Sequence, residues 1–300
     1  MAPGKDVMVQ KIGVVGLGVM GSAMSGHLLA AGYEVHGFDV DAAKTTAFAA
    51  KGGTVQASGS AVAAASDLVI LSLPTIGALE AATEDVAAGA HPGLIAAEMG
   101  VFPIEAKTAA RDRLAEVGVE LMDVPVSGTG LQAADATLVI MASGSPEAFD
   151  ATKAVFDALG RATYYLGPFP NGSVMKFIAN LLVVVHNLSS AEAHALGIAA
   201  GMDPAVVQEV ISDGVGSSRI FEIRGPMMVA DDYQQASARL DIARKDAGII
   251  RDYARSIGAP TPLLDAAIPV YDQAREAGLG DLDAAALLRH LEQIAGLGRA

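Results

Sequence analysis

The chain contains no cysteine. That excludes disulfides, thiolate metal sites and a cysteine nucleophile together, and with them aldehyde oxidation through a thiohemiacetal. Positive charge is scarce: 20 Lys and Arg stand against 34 Asp and Glu, a formal net charge of −14, with no clustered basic stripe. Such a surface is repelled by nucleic acid and by anionic membrane, so neither is expected as a partner. Long apolar runs are missing as well. The longest, Ile178 to Val185 with Asn180 inside it, falls far short of the ~20 residues of a spanning helix. Met1 to Gln10 has neither an apolar core nor a cleavage site, so it does not read as a signal peptide and a cytoplasmic location is expected. The six histidines are scattered, and without cysteine partners no zinc or other metal site is expected.

What is present is a 300-residue chain, 52% hydrophobic and 18% charged. Its length suits two domains at ~100–200 residues each, and its composition excludes wholesale disorder. From Lys11 to about Leu166 short apolar runs alternate with alanine-rich, helix-forming stretches such as Ser22–Ala31 and Asp41–Lys51. The spacing predicts strands at Lys11–Val15, Glu34–Phe38, Thr54–Gln56, Leu68–Leu71, Leu94–Ala97, Glu120–Asp123, Thr137–Met141 and Thr163–Leu166. Runs without polar alternation, separated by helices, indicate a parallel sheet covered on both faces. After Gly167-Pro168-Phe169-Pro170-Asn171-Gly172 the pattern becomes helical, starting with one helix over Ser173 to Gly201 whose centre, Leu181–Val185, is apolar all round and therefore expected to be buried between helices. Further helices follow at Pro204–Ser212, Ser218–Arg224, Ala238–Ile257, Pro262–Ala277 and Ala284–Ala295. The expected division is 1–167, an α/β domain around a parallel sheet, and 168–300, a helical region opened by the long helix.

Gly16-Leu17-Gly18-Val19-Met20-Gly21 is a G-x-G-x-x-G loop with a strand before it and a helix after it. Gly16 permits the tight turn, Gly18 lets a pyrophosphate approach the backbone, and Gly21 lets helix and strand pack closely, with the helix N-terminus facing the phosphates. Asp39 ends the second strand 18 residues after Gly21, close to the ~20 expected of the carboxylate that binds the adenosine ribose. A bare carboxylate repels a 2′-phosphate and no Arg follows it, so NAD is favoured over NADP. Leu73-Pro74 leaves a later strand, where ligand-facing loops of such sheets lie.

Hydride-transfer chemistries that use Tyr and Lys four apart are excluded, since no tyrosine has a lysine at that offset. Lys176 lies one turn into the long helix, beside Val174, Met175, Phe177 and Ile178, with Asn180 four residues on and hence on its face. Buried there, a lysine has a lowered pKa and can take a proton from a hydroxyl near neutral pH. Position alone leaves open the alternative, a lysine that snorkels out of an amphipathic first turn. Asp123-Val124-Pro125-Val126-Ser127-Gly128-Thr129-Gly130 ends a strand with small residues and hydroxyls. Either it exposes backbone N–H groups as a cradle for a carboxylate, or it is a plain surface loop.

Gly16–Gly21 with Met20, Leu73-Pro74, Asp123-x-Pro-Val-Ser-Gly128, Gly172-x-x-x-Lys176-x-x-x-Asn180 and Lys245-Asp246 occur in that order. Together they resemble the β-hydroxyacid dehydrogenase family, whose members include 3-hydroxyisobutyrate, tartronate-semialdehyde and L-threonate dehydrogenases and reductases. The resemblance covers essentially the whole chain and implies an α/β Rossmann domain that binds NAD over 1–167, then a long interdomain helix and an all-α C-terminal domain over 168–300 for substrate and dimerisation. It implies NAD-dependent oxidoreduction of a β-hydroxy or polyhydroxy acid or its semialdehyde, a small-molecule substrate, and a homo-oligomer, dimer or tetramer. It makes Lys176 the catalytic acid/base. Asn180 and the Ser127-Gly128-Thr129 loop become substrate-binding, and Lys245 lies near the nicotinamide end of the cofactor. An imine reductase is disfavoured because that related group generally replaces the lysine. A redox sensor that binds the dinucleotide without catalysis is the remaining alternative. Three positions depart from the family pattern: Met99-Gly100 stands for Ser-Thr, Thr129 for Gly, and Ala179-Asn180 for paired asparagines. Ser218 to Arg224 resembles the matching segment of the members that act on L-threonate, which tilts the expected substrate towards a polyhydroxy acid.

Overall fold

The computed structural model describes residues 9–298 apart from 235 and 237. The expectation for Met1–Gln10 therefore lies outside the described residues except at its last two positions. Two compact units emerge, one up to Lys176 and one from Phe177.

In the first unit β1 (Lys11–Val15), α1 (Val19–Ala30), β2 (Glu34–Phe38), α2 (Ala42–Ala50), β3 (Thr54–Val55), α3 (Gly59–Ala64), β4 (Leu68–Leu71), α4 (Ile76–Ala88), β5 (Ile95–Glu98), α5 (Ile104–Glu116) and β6 (Glu120–Asp123) build a six-stranded sheet of order β3-β2-β1-β4-β5-β6. Every pairing in it is parallel. Alternation along the strands supplies both faces. Ile12, Val14, Leu68 and Ile70 enter one apolar cluster, while Val15, Val69 and Leu71 enter the other. The strand order reverses between β1 and β4, and that switch point, at the carboxyl ends of the strands, is where such sheets open a crevice.

The last strands do not extend this sheet as expected. β7 (Val126–Ser127), β8 (Leu138–Ala142) and β9 (Gly160–Tyr165) form a separate three-stranded sheet, with β7 antiparallel to β8 and β8 parallel to β9. The cause is local. Pro125 has no N–H with which to continue the β6 ladder, and its carbonyl accepts the Met141 N–H at 3.0 Å, turning the chain into the smaller sheet. Between these strands lie α6 (Gly130–Ala134) and α7 (Pro146–Asp157).

The helix α8 (Asn171–Ala199) runs 29 residues. Its first turn groups with the sheet unit, so the compact unit extends to Lys176 and not to the expected 167. The centre of α8 is not enclosed all round: Val184 is buried but Leu182 is 48% exposed. By length and mean hydropathy α8 would pass for a membrane span. Its buried positions, however, include Asn187, Ser190 and His194, the polar content of a core helix.

The second unit continues with α9 (Pro204–Asp213), α10 (Arg219–Ala230), α11 (Leu240–Ser256), α12 (Pro262–Glu276), a 3₁₀ turn at Ala284–Ala286 and α13 (Leu287–Ala295). Its interior holds a polar knot. Asn187 donates to the Ala284 carbonyl at 2.7 Å and to the Tyr271 hydroxyl at 3.2 Å, and its own Oδ1 accepts from Arg224. Arg224 also pairs with buried Asp283 at 3.2 Å. Burial pushes the Tyr271 hydroxyl up to about 12, and Arg224 and Asn187 only partly offset it. The folded chain therefore keeps this proton where the unfolded chain has lost it. Stability is whole below about pH 10 and falls between there and pH 12, by roughly 3 kcal/mol over two pH units. Urea midpoints measured across that window should show the decline in the native protein and a shallower one in Tyr271→Phe.

Candidate active site

The site is built at the carboxyl edge of the six-stranded sheet. Gly16 has φ +93°, and a Cβ there would stand 2.2 Å from the Ser72 carbonyl oxygen. No side chain fits where the exit of β1 crosses the exit of β4. That crossing places Leu73 against the glycine loop, its Cδ2 3.3 Å from where the Gly16 Cβ would lie, with Pro74 exposed beyond it. A Cβ on Gly21 would meet the Gly16 carbonyl at 1.9 Å, which is the close helix–strand approach expected of the third glycine. At Gly18 a Cβ would meet nothing within 4 Å. Gly18 is the N-cap of α1, and among the described residues no side chain caps that helix and no acid stands in its first turn. The amides of Val19, Met20 and Gly21 thus begin a helix whose positive end is left for an anion.

Asp39 lies beside this loop. Its Oδ2 accepts the Leu17 N–H at 2.7 Å and its Oδ1 accepts the Asp41 N–H at 2.9 Å. The sequence reading missed one neighbour. Lys44, in the first turn of α2, brings its Nζ to 3.6 Å from Asp39 Oδ1, so the carboxylate is not bare. Helical spacing from Asp41, which caps α2, could have revealed it.

The Ser127-Gly128-Thr129 segment is neither a plain loop nor a row of open amides. Ser127 belongs to β7, and Gly128 has φ +139°. Thr129 caps α6, giving its N–H and its hydroxyl to Gln132 Oε1 at 2.8 and 2.7 Å. The extra side chain relative to the family glycine is spent on this capping box, and the expected cradle loses the Thr129 amide. Gly130 packs so closely on Val19 that a Cβ would meet its Cγ1 at 2.8 Å, which brings the segment to the N-terminus of α1.

Glu98 and Asp123 end β5 and β6 as register partners, and both are fully buried. Two adjacent carboxylates repel each other unless a cation separates them. Lys107 of α5, equally buried, supplies it, with Nζ 2.6 Å from Glu98 Oε2 and 2.7 Å from Asp123 Oδ1. Burial alone would discharge this lysine, but the two carboxylates outweigh it and hold its pKa above the ordinary value. For Glu98 burial wins over Lys107, so its carboxyl is raised. Glu98 also accepts the Gly100 N–H at 2.6 Å, and a Cβ on Gly100 would lie 2.7 Å from the same carboxylate oxygen. The Met99-Gly100 departure is thereby explained: this turn is built around a carboxylate, not around hydroxyls. Nothing in the sequence pattern singled out Glu98 or Lys107.

Lys176 is half-buried on α8. Its expected apolar surroundings are not all there, because residues one and two apart on a helix project to different faces. Phe177 is buried, whereas Met175 and Ile178 are exposed. In the second unit Asn180 donates its amide N–H to Asp246 Oδ2 at 3.0 Å, and Lys245 lies 3.2 Å from Asp246 Oδ1. Of the Ser218–Arg224 segment, Arg224 and Phe221 are interior, Phe221 stacked on His194, while Arg219 is exposed and pairs with Glu222. Among the described residues no group of three His, Asp or Glu is placed to hold a metal. An open cleft of about 800 Å³ lined by Arg111, Glu120 and Phe169 includes the start of β6, at the other end of that strand from Asp123.

Comparison with known proteins gives the family. Residues 11–167 match the family described as the NAD binding domain of 6-phosphogluconate dehydrogenase. Residues 171–291 match the NAD-binding family of NADP-dependent 3-hydroxyisobutyrate dehydrogenase. The L-threonate dehydrogenase of Cupriavidus necator is 36% identical, over 94% of this chain and 96% of that protein. A 3-hydroxyisobutyrate dehydrogenase structure from Salmonella typhimurium superposes with a TM-score of 0.85 at 30% identity, over 93% of this chain and 99% of the other. The Mycobacterium tuberculosis 3-hydroxyisobutyrate dehydrogenase with L-serine gives 0.87 at 27% identity, over 95% and 99%. The fold and the matched relatives are those of an oxidoreductase that uses a nicotinamide dinucleotide on CH–OH groups. The chain belongs to the β-hydroxyacid dehydrogenase family.

Proposed function

We propose that the protein interconverts a β-hydroxy acid, or a polyhydroxy sugar acid, and its carbonyl form, with NAD as the preferred cofactor and Lys176 as general acid/base. The observation that carries this reading is the uncapped helix N-terminus beside Asp39, in a chain whose α8 carries the Lys-x-x-x-Asn spacing. When bound, a nicotinamide dinucleotide would supply hydride-transfer chemistry at the hydroxyl-bearing carbon. Gly16 to Gly21 and Asp39 would hold it, with Leu73 and Pro74 alongside and Lys245 toward its nicotinamide end. Ser127 and Gly128 would receive the substrate carboxylate, with Thr129 shaping the turn through its cap. Asn180, its amide N–H given to Asp246, keeps Oδ1 to accept from a substrate hydroxyl. Lys176 takes the hydroxyl proton in oxidation and gives it back in reduction. The L-threonate relative supports a polyhydroxy acid. The Ser218–Arg224 resemblance gives less support, since its buried members serve the interior. A homo-oligomer, dimer or tetramer, goes with the family reading and is checked by sedimentation.

The test is a panel of L-threonate, 3-hydroxyisobutyrate, L-serine and their aldehyde counterparts, each run with both cofactors. Turnover of at least one acid, with higher kcat/KM for NAD, is expected. Lys44 sharpens the cofactor prediction. Asp39→Ser removes the charge that repels a 2′-phosphate and leaves Lys44 to attract it, so the NADP:NAD ratio of kcat/KM should rise by about tenfold or more. An unchanged ratio would remove Asp39 from the adenosine end of the site.

A further inference from the structure

Asp123 has a second set of partners besides Lys107. Its Oδ2 accepts the Ser173 N–H at 2.6 Å, and its Oδ1 accepts the Ser173 hydroxyl at 2.8 Å. Ser143, which donates to the Asp123 carbonyl and carboxylate at 3.1 and 3.3 Å, in turn accepts the Gly172 N–H at 2.9 Å. A Cβ on Gly172 would stand 2.6 Å from the carbonyl oxygens of both Asp123 and Met141. The first turn of α8 therefore abuts the ends of β6 and β8 with no room for a side chain at Gly172, and its second and third amides, those of Gly172 and Ser173, are satisfied by Ser143 and Asp123. A carboxylate at this end also meets the positive pole of a 29-residue helix. Asp123, Ser143, Ser173 and Lys107 are all buried.

We propose that Asp123, paired with Lys107, is a positioning residue: it locks the first turn of α8 to the sheet and so fixes where Lys176, three residues past Ser173 and on the same helical face, presents its amine. The consequence for turnover rests on the catalytic reading of Lys176; the lock itself does not. Without the lock the end of α8 is held by weaker neutral contacts and the amine wanders. Displacement of a reacting group by about 1 Å costs up to about 100-fold in rate.

Asp123→Asn keeps the shape and removes the charge, and Ser173→Ala removes the hydroxyl contact alone. Both are compared with the native protein by amide hydrogen exchange, by NADH fluorescence titration, and by kcat on the panel acid with the highest kcat/KM. In Asp123→Asn the amides of residues 173–176 should lose protection about tenfold or more while those of β1 and β4 keep theirs. NADH affinity should stay within about twofold, and kcat should fall about 10- to 100-fold. Ser173→Ala should show the same pattern with smaller changes, and it decides the matter alone if Asp123→Asn does not fold. Unchanged protection at 173–176, or protection lost equally at β1 and β4, overturns the proposal. Lys176→Ala is measured alongside: if it retains turnover, the catalytic reading of Lys176 fails while the exchange data still judge the lock.

Discussion

Lys176→Ala should lower kcat by about 10²–10⁴-fold, the range that a positioned general acid/base contributes, while NADH binds as before. The split is what makes the result informative. The proposed dinucleotide cradle, Gly16, Gly18, Gly21 and Asp39, is carried by β1, α1 and the end of β2, whereas Lys176 belongs to α8. A loss confined to kcat marks an interaction made in the transition state; a rise in KM for the cofactor alone would mark a binding role. Lys176→Arg should not rescue, since a guanidinium does not give up its proton in the working range.

The largest effect on stability is expected from Lys107→Met. The lysine is fully buried between Glu98 and Asp123, which face each other in register. Removing the cation leaves two carboxylates with nothing between them, and breaking a buried pair in this way costs about 3–5 kcal/mol. For a domain stable by ~5–15 kcal/mol that is a large share. The pH dependence gives the loss a signature. Burial already raises the Glu98 carboxyl in the intact protein, and without Lys107 it rises further. A carboxyl raised in the folded state contributes stability that is present at low pH and lost as pH rises through the folded pKa. The variant should therefore be closer to native stability at pH 5 than at pH 8, and Glu98→Gln in the same chain should recover part of the loss. Urea midpoints at the two pH values measure both statements.

Much of this was legible in the residues. The strand runs at Lys11–Val15, Glu34–Phe38, Leu68–Leu71 and Glu120–Asp123 fall where the apolar periodicity puts them, because strands buried on both faces leave few alternatives. The glycine loop was readable for a similar reason: its first and third glycines answer a steric demand that the fold imposes, as the Cβ contacts of Gly16 and Gly21 show. What escaped were features that depend on long-range pairing. Pro125 redirects the chain into a second sheet, and only the partner strand β8 reveals it. Glu98 and Lys107 looked like ordinary charged residues, yet sheet register and the α5 face bring them together at 2.6 Å. Thr129 read as a possible ligand and turned out to be a helix cap, since Gln132 three residues on completes a capping box. Arg224, in a segment with a functional resemblance, is held instead by Asp283 and Asn187 in the interior.

The central claim is that this chain moves a hydride between a hydroxy acid and a nicotinamide, and isotope transfer tests it most directly. The panel acid that turns over is prepared with deuterium on its hydroxyl-bearing carbon, oxidised with NAD, and the reduced cofactor is analysed by mass. The account predicts one deuterium per molecule of NADH, delivered to one face of the ring, and no such product from Lys176→Ala within the same time. NADH that binds tightly while no acid or aldehyde of the panel is converted, or deuterium that appears in solvent and not on the cofactor, would contradict it and leave a dinucleotide-binding sensor in its place.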